Sequence, residues 1–135
     1  EAGDGAQAAQ AGAPYTRARW CYRIQDIQLR GLLYTLRHEP RLQAFAERTL
    51  SPLLAHDAKD GSDLVRTLAV YLRLRGNKSL AAQELGISRP TLYDRLARVR
   101  RLLQVDLDDP EVSPSLYAAI MVVETMPADP PDAAR

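Results

Sequence analysis

Between Lys78 and Arg101 the chain spaces hydroxyl, phenol and guanidinium groups in a way that suits recognition of a polyanion rather than bond breaking. Ser88, Arg89, Thr91 and Tyr93 fall within roughly one and a half helical turns, and Arg95, Arg98 and Arg101 follow at helical intervals. The planar fork of Arg89 matches the O6 and N7 acceptors of guanine in a major groove. Lys78, Arg95, Arg98 and Arg101, with Arg73 or Arg75 from flanking segments, suit phosphate oxygens, and free amides at a helix start favour a phosphate as well. Asp94 would repel phosphate, so it either accepts from a cytosine amine or pairs with Arg98 at i+4, and the internal pair is the favoured reading. Any one exposed arginine is equally compatible with a solvated surface. Their clustering is the argument for contact.

Other chemistries find less support. His38 and His56 each stand alone in helical or loop context, and no nucleophile elbow or phosphate-cradling glycine loop occurs. Asp106, Asp108, Asp109 and Glu111 cluster, but without the glycine and spacing of a calcium loop, which favours a turn and capping role. The expectation is therefore no enzyme, no catalytic residues, no metal site and no cofactor. Cys21 is the only cysteine, so no intrachain disulfide can form and nothing points to an oxidising compartment. No apolar run reaches the length of a membrane span, and the reading is a cytoplasmic protein without membrane contact. The chain begins at Glu1 rather than methionine, which suggests a piece of a longer protein.

The elements that must position these groups are legible in the same stretch. Lys78 to Leu85 reads as a short helix capped by Asn77, and Gly86 falls where that helix must stop in a left-handed conformation. Ala82 is small where a bulky residue would push two helices apart, and Ile87 fills the angle between them. Ser88 is an N-cap for a second helix from Arg89 to about Leu103, with Leu92, Leu96, Val99 and Leu103 inward. Pro90 costs little in its first turn, where amides have no intrahelical partner. This is the sequence form of a helix-turn-helix, whose second helix can enter a major groove.

The rest of the chain supports that unit. Residues 1–18 read as a disordered linker, and 19–61 as a helical connector with a remnant strand at 20–24. In the connector, Leu29, Leu32, Leu33 and Leu36 predict a helix ending near Pro40, followed by a segment around Leu42, Phe45 and Ala46. Ser51-Pro52 is expected to restart the chain as a separate short helix. Residues 62–126 form the helix-turn-helix domain. Ser62 is expected to cap its first helix, striped with Leu64, Leu68, Tyr71 and Leu72, and residues 127–135 read as a frayed tail. Ser113-Pro114 opens a last helix that is apolar on more than one face, either deeply packed or shared with a second subunit. Tyr117, Ile120, Met121 and Val123 are the candidate dimer interface. The fold class is all-α, a multi-helix domain built around the helix-turn-helix with connector helices before it.

The overall formal charge of +1 conceals a division. Residues 62–105 carry nine Lys/Arg against three acids, a surplus of six, whereas 106–135 carry seven acids against Arg135. A basic third of this kind favours a polyanion partner.

The ordered series Asp63-Leu64-Val65-Arg66-Thr67-Leu68-Ala69-Val70-Tyr71-Leu72, Gly76-Asn77, Ala81-Ala82, Arg89-x-Thr91-Leu92-x-x-Arg95-Leu96 and Asp106-Leu107-Asp108-Asp109-Pro110 resembles the C-terminal domain of PucR/CdaR-type bacterial transcriptional regulators. The resemblance spans roughly Ser62 to Glu124; Leu50-x-Pro52-Leu53-Leu54 and Asp57 resemble the stretch that precedes it. The Gly-Ile-Ser-Arg-x-Thr-Leu core is also similar to the Fis type of helix-turn-helix. It implies sequence-specific binding of double-stranded DNA, commonly as a homodimer, with an effector-sensing region upstream. That family usually has His-Arg-Asn-Thr-Leu-x-Tyr-Arg-Leu where this chain has Ser88-Arg89-Pro90-Thr91-Leu92-Tyr93-Asp94-Arg95-Leu96. Arg89, Thr91 and Arg95 match and carry over as expected DNA contacts; the target sequence does not. The rival expectation is a helical protein-interaction or dimerisation module that does not read DNA.

Overall fold

Most helix boundaries in this chain coincide with a residue whose side chain or backbone explains the stop or start. The computed structural model describes residues 24–125 as six helices, with no strand among those residues. They are α1 (Ile24–Thr35), α2 (Pro40–Asp60), α3 (Leu64–Arg73), α4 (Lys78–Leu85), α5 (Arg89–Leu103) and α6 (Ser113–Thr125). The linker expected at 1–18 and the tail at 127–135 lie outside the described residues. So does the expected strand at 20–24, except for Ile24, which opens α1. The all-α fold class is as the sequence indicated.

Three local expectations are corrected. Residues 40–60 form one continuous helix with Pro52 inside it, not two pieces. The missing amide of Pro52 leaves the Arg48 carbonyl without its usual donor, and the Ser51 hydroxyl donates to that oxygen instead. Burial of Leu50 and Leu53 on either side of the proline holds the helix together through it. Ser62 is not the cap of α3. The carboxylate of Asp57, on the preceding helix, accepts from the amides of Leu64 (2.8 Å) and Val65 (3.0 Å). Ser62 instead donates to Asp57 and meets His56 Nδ1 at 2.8 Å, while His56 Nε2 lies 3.0 Å from Asp60. The serine proton is thus committed to a carboxylate that caps a helix, and the cluster is a joint between α2 and α3. The first helix forms as its leucine spacing indicates but stops at Thr35 rather than near Pro40, and of those leucines only Leu33 is buried; Leu29, Leu32 and, past the helix end, Leu36 are exposed.

α2 and α6 pack against each other most extensively; α1 lies on α6, and α3 touches α2, α4, α5 and α6. Leu50, Leu53, Leu68, Leu92, Leu96, Val99, Ile120, Met121 and Val122 have no exposed surface. Burying each such side chain is worth about 1.5–3 kcal/mol. The inward side of α5 is therefore packed against α2, α3 and α4, while Arg89, Pro90 and Tyr93 in its first turns stay exposed. One charged pair crosses the far side of the molecule: Arg30 on α1 meets Glu124 on α6 at 3.0 Å, with the arginine almost fully buried.

Candidate nucleic-acid interface

The turn between α4 and α5 is set by backbone chemistry. Gly86 has φ +68, and a Cβ built there would meet nothing within 4 Å, so its conformation and not crowding is what calls for glycine. The amide of Gly86 donates to Gln83 and that of Ile87 to Ala82, closing the last turn of α4. Ala82 is buried beneath it. At the helix starts, Asn77 accepts from the amide of Leu80 at 3.1 Å, and Ser88 from that of Thr91 at 3.3 Å. Ser88 and Thr91 also share a hydroxyl hydrogen bond of 2.9 Å. Both caps agree with the sequence reading, as does the extent of α5.

On this frame Ser88, Arg89, Tyr93, Arg98 and Arg101 are exposed, while Lys78 and Thr91 are half-buried. Arg89 Nη2 donates to Tyr93 Oη at 3.0 Å, and the Arg89 guanidinium carbon lies 5.9 Å from the Tyr93 ring centroid. Lys78 Nζ, from the first residue of α4, stands 5.9 Å from the same ring. One aromatic ring thus gathers the cations that open both helices.

Arg95 is differently placed. It is half-buried, and its Nη1 donates at 3.3 Å to Thr67 Oγ1, a fully buried hydroxyl on α3. Thr67 passes its own proton to the Asp63 carbonyl at 2.7 Å. Arg95 therefore ties α5 to α3. Of the two flanking arginines suited to phosphate, Arg73 is half-buried and in an ion pair with Glu84, and Arg75 is exposed with a left-handed backbone. Asp94 is exposed, and no ion pair among the described residues joins it to Arg98, so the favoured internal pair does not form.

Behind the helix-turn-helix, the acidic turn is structural in its contacts. Tyr71 Oη donates to Asp108 at 3.0 Å, Asp106 accepts from the Asp108 amide, and Asp109 from the Glu111 amide. Burial, then the hydrogen bond to Asp108 and the negative charge there, raises the Tyr71 phenol above its ordinary pKa. No group of three or more His, Cys, Asp or Glu among the described residues is arranged to hold a metal ion. No described helix is long and apolar enough to cross a membrane. On α6, Ile120 and Met121 are wholly enclosed by this chain's own core, whereas Tyr117 and Val123 keep part of their surface in solvent.

Two features escape sequence reading. The Arg95–Thr67 contact joins residues 28 positions apart, and no local pattern announces it. The Arg89–Tyr93 pair did have a signal, the i to i+4 spacing of a guanidinium and a phenol.

Residues 64–122 match the model of a protein family, the PucR C-terminal helix-turn-helix domain. This agrees with the resemblance seen in the sequence. Over 103 residues the chain is 23% identical to the proline-responsive transcriptional activator PutR of Bacillus subtilis (strain 168), covering 76% of this chain and 25% of that protein. Over 88 residues it is 32% identical to an uncharacterized protein in the pkwA 5' region of Thermomonospora curvata, covering 65% of this chain and 48% of that one. The chain thus spans between a quarter and about half the length of these curated relatives. No solved structure matches the chain.

Proposed function

We propose that this chain is the DNA-binding portion of a transcription regulator, and that it reads a specific duplex sequence by setting the first turns of α5 in the major groove. The observation that carries this reading is the helix-turn-helix of PucR C-terminal type with Lys78, Arg89, Arg98 and Arg101 on its accessible side. Arg89 is the base-reading residue, with guanine its best partner. Ser88, Thr91 and Tyr93 border the same edge. Lys78, Arg98 and Arg101 meet phosphates, and Arg95 contributes by holding α5 on α3 before any contact of its own.

The rest of the assignment follows from the same reading. The protein works in the cytoplasm at the nucleoid, as a homodimer on paired half-sites. Tyr117 and Val123, the members of the expected interface with surface left to share, are its α6 contacts. An effector-sensing region precedes this domain. The relative in B. subtilis is described as proline-responsive and as an activator. A small-molecule effector of that general kind is the expectation here.

Selection of bound sequences from random duplexes tests the proposal directly. Binding to the selected site should weaken with salt at a log–log slope of about −3 per protomer, for three phosphate contacts. A slope near zero, or no duplex binding at low salt, would leave the second reading, a helical interaction module. That reading draws on the exposed Leu29, Leu32, Tyr34 and Leu36 at α1.

A further inference from the structure

We propose that Tyr93 is a positioning residue that fixes Arg89 for base reading, and that Tyr93, Arg89 and Lys78 act as one specificity-setting cluster. This rests on the DNA-binding reading above. Arg89 opens the first turn of α5 with its side chain exposed to solvent. Left alone, such a side chain spreads over many rotamers, and only some of them present the fork to a base edge. Tyr93 Oη takes one Nη2 proton at 3.0 Å and removes much of that freedom. A guanidinium has five N–H donors, so enough remain for a paired contact with guanine O6 and N7.

The cluster has a second cation for a reason. Tyr93 is 41% exposed, and its ring attracts Lys78 Nζ as well as Arg89, each 5.9 Å from the centroid. Neither cation is in an ion pair among the described residues. Two like charges share one ring at an edge that faces solvent, and their mutual repulsion falls when a polyanion arrives between them. The occupant this arrangement suits is a guanine with a phosphate beside it. Bound DNA relieves the charge crowding, and Tyr93 keeps Arg89 aimed.

The test uses Tyr93→Phe, which keeps the ring over both cations and deletes the hydroxyl, beside Arg89→Ala and the double variant. Each is passed through random-duplex selection and then titrated on the wild-type site and on the site with that guanine replaced. Tyr93→Phe should cut the preference for guanine at the Arg89 position about three- to tenfold, the factor corresponding to one hydrogen bond. Its salt slope should be unchanged, since no phosphate contact is removed. Arg89→Ala with Tyr93→Phe should discriminate no worse than Arg89→Ala alone. Unchanged preference in Tyr93→Phe, or losses that simply add in the double variant, would overturn the cluster. If wild-type protein selects no sequence at all, the DNA-binding reading fails, a result distinct from a selecting wild type whose Tyr93→Phe variant reads identically. Circular dichroism of each variant confirms the helices, and because the ring is exposed no loss of fold is expected.

Discussion

The two ends of the molecule are held together by opposite means. Where α4 and α5 begin, contacts are short-range: Asn77 to Leu80, Ser88 to Thr91, Arg89 to Tyr93. The side chains there are largely in solvent. Where α1 crosses α6, Arg30 reaches Glu124 over 94 positions of sequence, beside the fully enclosed Ile120 and Met121. A surface that must exchange water for a partner is best built from groups that need little from the rest of the fold. A seam that closes the fold needs the reverse. Substitutions should accordingly separate into those that unfold and those that only unbind.

The largest effect is expected at the seam. Arg30→Met leaves Glu124 without its buried partner and should lower unfolding free energy by about 3 kcal/mol, read by urea denaturation. Adding Glu124→Leu should recover most of the loss, because the stranded charge is gone. A loss under about 1 kcal/mol in the single variant would erase the contrast, making the pair no better than a surface ion pair. Next comes Arg89→Ala, expected to weaken binding to the preferred duplex by about 1–3 kcal/mol with the melting temperature unmoved. A matching fall in melting temperature would mean that the reading edge also holds the fold. Ser88→Ala sits on the border between the classes: loss of the cap should cost about 1 kcal/mol of stability and fray the very turn that carries Arg89.

The smallest effect concerns pH. Tyr71 has its pKa raised in the folded chain, by burial first and by its bond to Asp108 second. The folded state therefore holds that proton more tightly than the unfolded chain does. This contribution is fully present below about pH 10, the ordinary tyrosine value, and is lost as pH rises through the raised value. Thermal melts between neutral pH and pH 11 should fall more steeply for wild type than for Tyr71→Phe. Parallel curves would show that the acidic turn does not depend on this phenol.

Legibility in the sequence divides along the same line. Asn77, Gly86 and Ser88 announce their roles because caps and left-handed turns are decided within a few residues. The start of α5 follows from Ser88. The long-range side was harder. Leu29, Leu32 and Leu36 have helical spacing that looks like a buried stripe, yet α6 covers the side of α1 that carries Arg30 and Leu33. Spacing marks out faces but does not say which face a distant helix will choose. Pro52 reads as a break for a similar reason. A proline costs one hydrogen bond locally, and enclosure of Leu50 and Leu53 outweighs it in the whole. The spacing of Arg95 suits a phosphate contact, and nothing near it in sequence announces its bond to Thr67.

The pairing of α2 with α6 has a consequence for how the protein is made. Translation delivers α2 before its main partner α6, with the whole helix-turn-helix between them. Until α6 emerges, Leu50 and Leu53 have no complete enclosure, and α2, against which α5 packs, lacks its main partner. Nascent chains lacking α6 would carry the proposed DNA-contacting residues on an unfinished platform. A ribosome that stalls before Ser113 should therefore display a protease-sensitive product, and binding to the selected duplex should appear only once α6 has emerged.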